Sequence, residues 1–145
     1  MEFIYSDGGR SRYFKANYVG DCVCRAICNA TGNDYKETYK ALSKMVKECN
    51  KTRHISARDG VPKIIVKKYI EEVLGWKWIP CMTIGSGCTV HLRDGELPTY
   101  GRLIVNLSGH LSCVENDTIY DTYDCSRDGN RCVYGYWTKP YLEKL

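Results

Sequence analysis

The sequence predicts an α+β domain, with helices from its first half packed on a mostly antiparallel sheet from its second. Two observations carry this. Apolar residues recur at helical spacing as far as residue 75, and from Trp76 the pattern changes to short runs broken by Gly, Asn, Asp or Pro. The chain has 145 residues, of which 43% are hydrophobic, which suits a single domain over 1–145 with a real core.

Residues 1–19 show no period and read as an extended arm or loop. A first helix is expected from Cys22 to Thr31, with Asp21 as N-cap and Gly32 closing it. Asp34 and Glu37 form a capping-box pattern for a second helix, along which Tyr35, Tyr39, Leu42, Val46 and Cys49 recur. Residues 50–60 are polar and basic, a loop. A third helix is expected from near Val61, with Pro62 in its first turn and Gly75 just past its end. Ile64, Ile65, Tyr69 and Val73 would be its buried side, and Lys63, Lys67, Lys68 and Glu71 its solvated side. Strands are expected at Trp76–Ile79, Cys81–Ile84, Gly101–Leu107, His110–Glu115, Thr118–Tyr123 and Cys132–Trp137.

Composition excludes little. A net charge of +4 is far from a nucleic-acid footprint, and the Lys63, Lys67 and Lys68 stripe reads as a solvated helix face. No apolar run approaches a membrane span. The opening Met-Glu-Phe-Ile-Tyr-Ser-Asp has neither a basic nor an apolar signal region, so a cytoplasmic location is expected. In that setting the nine cysteines are expected to stay reduced, most of them as small buried residues.

Cys22 stands out because a helix N-terminus, with its unpaired N–H groups and partial positive charge, favours a thiolate. His110, on a much later strand, would be its base. The carboxylate beside Cys22 on Asp21 opposes this by raising a thiol pKa. The third group depends on hairpin geometry. With Asn116-Asp117 as a two-residue turn, Ser112 faces Asp121, and His110 shares its face with Asp121. A three-residue loop would flip that parity and favour Asp124. The competing reading makes Cys22, Cys24 and Cys28 core residues of one buried helix. His54 and His91 are the other histidines. Cys88 and His91 have metal-ligand spacing, and Cys81, Cys125 and Cys132 could complete a zinc set, but no Cys-x-x-Cys pair exists. No metal or other cofactor is therefore expected. Gly85-Ser86-Gly87 reads as a turn or a substrate-facing loop, with Ser86 and Gly87 as candidate substrate-binding residues.

These motifs carry a resemblance. Gly20 to Ile27, Ser86 to Leu92, Gly101 to Val105, His110-Leu111, Asp121 to Asp124 and Val133 to Trp137 resemble a group of small proteins encoded by bacteriophages and bacterial genomes. The Cys, His and Asp surroundings are also similar to those of papain-like cysteine peptidases. The resemblance implies a papain-like fold with Cys22 as nucleophile, His110 as base and Asp121 as third member. Such enzymes place a Gln shortly before the cysteine as an oxyanion donor. Here Asn17 stands nearest to that role, together with the Cys22 N–H. The implied activity is hydrolysis of a peptide or isopeptide bond in a protein substrate, within the host-cell cytoplasm for a phage-encoded chain. The alternatives are acyl transfer and a non-catalytic scaffold that binds a host protein.

Overall fold

A computed structural model describes residues 1–15, 21–49 and 60–140. It is α+β: three helices packed against one six-stranded mixed sheet. The strands are β1 (Glu2–Tyr5), β2 (Lys77–Pro80), β3 (Arg102–Leu107), β4 (His110–Glu115), β5 (Thr118–Asp121) and β6 (Gly135–Thr138), in the order β1-β5-β4-β3-β6-β2. All neighbours are antiparallel except β1, which runs parallel to β5. No helix among the described residues is long and apolar enough to cross a membrane.

The first helix, α1 (Cys22–Thr31), has the expected bounds, with Gly32 left-handed at its C-cap and donating to the Cys28 carbonyl. It packs along the sheet centre. Val23, Cys24, Ala26 and Ile27 meet Ile104, Leu111, Cys113 and Trp137 in the main core. The opposite cluster joins Leu103, Val105, Leu107, Val114 and Ile119 to Leu92, Leu97, Cys125 and Val133 from the long connections. The second helix, α2 (Tyr35–Cys49), is capped as its sequence implies, since the Glu37 N–H donates to Asp34 Oδ2 at 3.1 Å. Tyr35, Leu42 and Val46 are buried, whereas Cys49 is exposed.

Several expectations are corrected. Asp21 occupies the cap position of α1, but its side chain caps nothing. It is fully buried and bonds Arg10, Arg25 and Tyr35, two cations and a phenol that outbid the backbone N–H groups. Residues 2–5 form a strand, because their partner β5 supplies the hydrogen bonds that no local signal announced. Pro62 is the N-cap of α3 (Lys63–Lys68), which continues as a π-helical turn over Tyr69–Val73. The buried stripe is Ile65, Val66, Tyr69 and Ile70, Ile64 lies exposed on the other side of α3, and the π-helical turn leaves Val73 exposed. Residues 81–84 form no strand; they begin an irregular excursion that returns to the sheet at Arg102. Cys88 and Cys132 are joined by a disulfide, contrary to the fully reduced reading. The expected 50–60 loop lies outside the described residues except for Gly60.

The hairpin is as expected. Asn116 and Asp117 both have positive φ (50° and 58°), the form of a type I′ turn. Glu115 pairs with Thr118, Val114 with Ile119 and Cys113 with Tyr120.

Candidate active site

Cys22 opens α1 and His110 opens β4, so the site lies where the start of the helix meets the start of a central strand. His110 is buried, and its Nε2 is 2.7 Å from Asp121 Oδ2. The Ser112 hydroxyl donates to the same oxygen at 2.7 Å, while Asp121 Oδ1 accepts the Thr122 N–H at 2.7 Å and lies 3.7 Å from Arg25 Nη2. Asp121 is thus held from four directions and fixes the imidazole edge-on. With Nε2 engaged, Nδ1 is the ring nitrogen left for a thiol. Asp124 is exposed and turned aside, its carboxylate capping the Ser126 N–H at 3.0 Å. Between the two acids left open by the sequence, Asp121 is the one the structure brings to His110.

The charges are mutually supporting. Burial opposes a thiolate at Cys22, but hydrogen bonds with His110 and the Leu111 N–H, together with the charges of His110 and Arg25, outweigh it and lower its pKa. Burial likewise opposes the imidazolium, yet hydrogen bonds with Asp121, Cys125 and Cys22 and the charge of Asp121 push His110 up to about 11. Asp121 is held low despite burial, by its bond to His110 and the charge there. These shifts all favour an imidazolium beside a thiolate, backed by a carboxylate. Cys24, buried against Cys28, is held high by its bond to that neighbour and by burial, and Cys113 is pushed up to about 12 by burial. The disturbance expected from Asp21 is answered by Arg10 and Arg25, which lie against its carboxylate.

Cys22 and His110 sit on the wall of a cavity of about 470 Å³. Trp78, Trp137, Leu111 and Val61 give it apolar surface, and Lys63, Lys67 and Glu71 line its charged side. Trp78 and Trp137 pack at 4.5 Å between ring centroids, and Trp137 Nε1 donates to Glu71 Oε2 at 3.1 Å. Gly135 makes room for this wall: a Cβ there would fall 2.3 Å from the Trp78 ring. The lysine stripe is therefore not wholly a solvated face.

The remaining sequence candidates fall elsewhere. Asn17 and His54 lie outside the described residues. Ser86 and Gly87 are exposed and do not line this cavity; the Ser86 hydroxyl is spent within its own turn, accepting the Thr83 N–H and donating to carbonyls of that loop. His91 contacts Cys88 and Glu96 and does not line this cavity. Sequence reasoning gave no role at this site to Arg25 or Cys125, and placed Ser112 without assigning it one. The turn parity that selected Asp121 also placed Ser112 opposite it, whereas no sequence signal marks Cys125, which arrives through a long connection. His110, Asp121 and Cys125 also have ligand atoms within 4.8 Å of one another, but Asp121 and Nε2 are already committed to each other.

Comparison with protein-family models, curated proteins and solved structures found no match to this chain.

Proposed function

We propose that this chain is a papain-like thiol hydrolase that cleaves a peptide or isopeptide bond through an acyl-enzyme. The observation that carries the reading is the Cys22–His110–Asp121 arrangement at the N-terminus of a buried helix, opening on a cavity. The Cys22 thiolate attacks the substrate carbonyl and the His110 imidazolium gives its proton to the leaving amine. The neutral imidazole then takes a proton from water, whose oxygen attacks the thioester, and as the acid departs Cys22 leaves as the thiolate beside the restored His110 imidazolium. Asp121 keeps the ring in one tautomer and stabilises its charged form. The Cys22 N–H, with Asn17, is assigned to the oxyanion. The two tryptophans and Leu111 favour an extended chain with an apolar or aromatic side group, and Lys63 and Lys67 favour an acidic one nearby. An amine in place of the water would make the same intermediate an acyl donor. A protein of the host cell is the proposed substrate.

The test is an activated peptide ester monitored by intact-protein mass spectrometry. A single acyl adduct mapping to Cys22, with release of the acid, is expected. No adduct, or an adduct spread over Cys49 and Cys81, refutes the proposal.

A further inference from the structure

A second cluster lies away from this site, where the excursion after β2 meets the segment before β6. Cys88 is bonded to Cys132, and His91 and Cys132 pair as an isolated bridge. His91 Nε2 is 3.4 Å from Cys88 Sγ. On the other side of the ring, Nδ1 is 3.1 Å from Glu96 Oε1, which also accepts the His91 backbone N–H at 3.1 Å. Arg93 holds the other carboxylate oxygen at 2.9 Å.

The Glu96 carboxylate can only accept, so it fixes the neutral ring with its proton on Nδ1 and its lone pair on Nε2. That lone pair is aimed at Cys88 sulfur. A disulfide sulfur has no proton to offer it, so in the oxidised form nitrogen and sulfur are in van der Waals contact. Once the disulfide is reduced, a cation can stand between that nitrogen and the two thiolates. Tetrahedral zinc with Zn–S of about 2.3 Å and Zn–N of about 2.0 Å sets its sulfur and nitrogen ligands about 3.5 Å apart, close to the separation found. A carboxylate on the far nitrogen of a histidine is the usual outer partner of such a ligand.

We propose that the reduced chain binds one zinc ion through Cys88, Cys132 and His91 Nε2, with Glu96 orienting the imidazole. A dithiol supplies the reduction. It loses two electrons and two protons and closes to its own disulfide, and Cys88 and Cys132 become thiols. The ion displaces those two protons, so the metal and two thiolates are together neutral. Cys88 is exposed, which leaves the fourth position to water. The ion would clamp the excursion to the segment that carries Cys125, beside His110, and Arg131, whose Nη2 bonds the Ser108 carbonyl in the turn ahead of His110.

The test is titration of the full chain, reduced with a dithiol and then freed of it, with Co2+ followed by Zn2+ displacement. One equivalent of Co2+ should give intense tetrahedral d–d bands and a thiolate-to-metal charge-transfer band. Both should disappear in Cys88→Ser and His91→Ala and persist in Cys22→Ser. Glu96→Gln, which preserves shape, should weaken Zn2+ binding about 10–100-fold. Absence of tetrahedral bands in the wild type, or their survival in Cys88→Ser, overturns the proposal. Loss of the bands in Cys22→Ser also overturns it, by moving the ion to Cys22, His110 and Cys125. Should the cysteine and histidine variants fail to fold, unchanged affinity in Glu96→Gln overturns it alone.

Discussion

Replacing Asp121 with Asn changes one charge at nearly constant volume and probes the backing of His110 directly. The bond between His110 Nε2 and Asp121 Oδ2 is 2.7 Å long, and Asp121 is 2% exposed, so solvent screening is small. A hydrogen bond to a charged group contributes about 1.5–3 kcal/mol, and about 1.4 kcal/mol corresponds to one pKa unit. His110, pushed up to about 11 in the wild type, should therefore fall by about 1–2 units in Asp121→Asn. The same free energy, lost from the imidazolium that acts in acylation, corresponds to a rate loss of about 10–100-fold. Acylation by an activated ester, measured across pH, reads both effects. The alkaline limb should move down and the plateau should drop, while the far-UV circular dichroism stays the same. A limb that does not move, with a rate within about twofold of wild type, would refute the role given to Asp121.

Other outcomes follow from the same structure. The thiolate of Cys22 exists above its lowered pKa and the His110 imidazolium exists below about 11, so the rate should be flat between these and fall on either side. Because His110 is raised on folding, its contribution to stability is fully present below its ordinary value of 6.5 and is lost as pH rises toward about 11, which denaturant melts across that range should show. Cys22→Ala should abolish acylation with the fold intact, whereas Cys24→Ala, at a fully buried position, should stay active and lose about 1–3 kcal/mol in urea unfolding. Gly135→Ala forces the Trp78 ring to move and should raise KM for peptide substrates while costing about 1–3 kcal/mol of stability. Asp124→Ala, which loses only a turn bond to Ser126, should leave acylation within about twofold, since truncation of such an exposed group stays within about 0.5 kcal/mol.

What was legible in the sequence was local. Gly32 ends α1 because a left-handed residue is needed there, and Asp34 caps α2 across three residues. The I′ turn at Asn116-Asp117 sets the parity of a whole hairpin, which is why Asp121 could be placed opposite Ser112 and on the face of His110 from sequence alone. What was hidden depends on distant partners. Residues 2–5 become a strand only because β5 lies beside them. Asp21 looks like a cap until Arg10, Arg25 and Tyr35 converge on it. The π-helical turn that rotates Val73 outward has no sequence mark, and neither has the meeting of Cys88 with Cys132 across 44 residues.

The central claim is that Cys22 is an activated nucleophile made so by His110. Its most direct measurement is the rate of alkylation of each free cysteine against pH, mapped by mass spectrometry, in the wild type and in His110→Ala. Cys22 should react fastest, with a thiolate titration lowered from the ordinary thiol value, and His110→Ala should raise that titration and slow the reaction near neutral pH. Labelling led by the exposed Cys49, or a Cys22 profile indifferent to His110, would contradict the account.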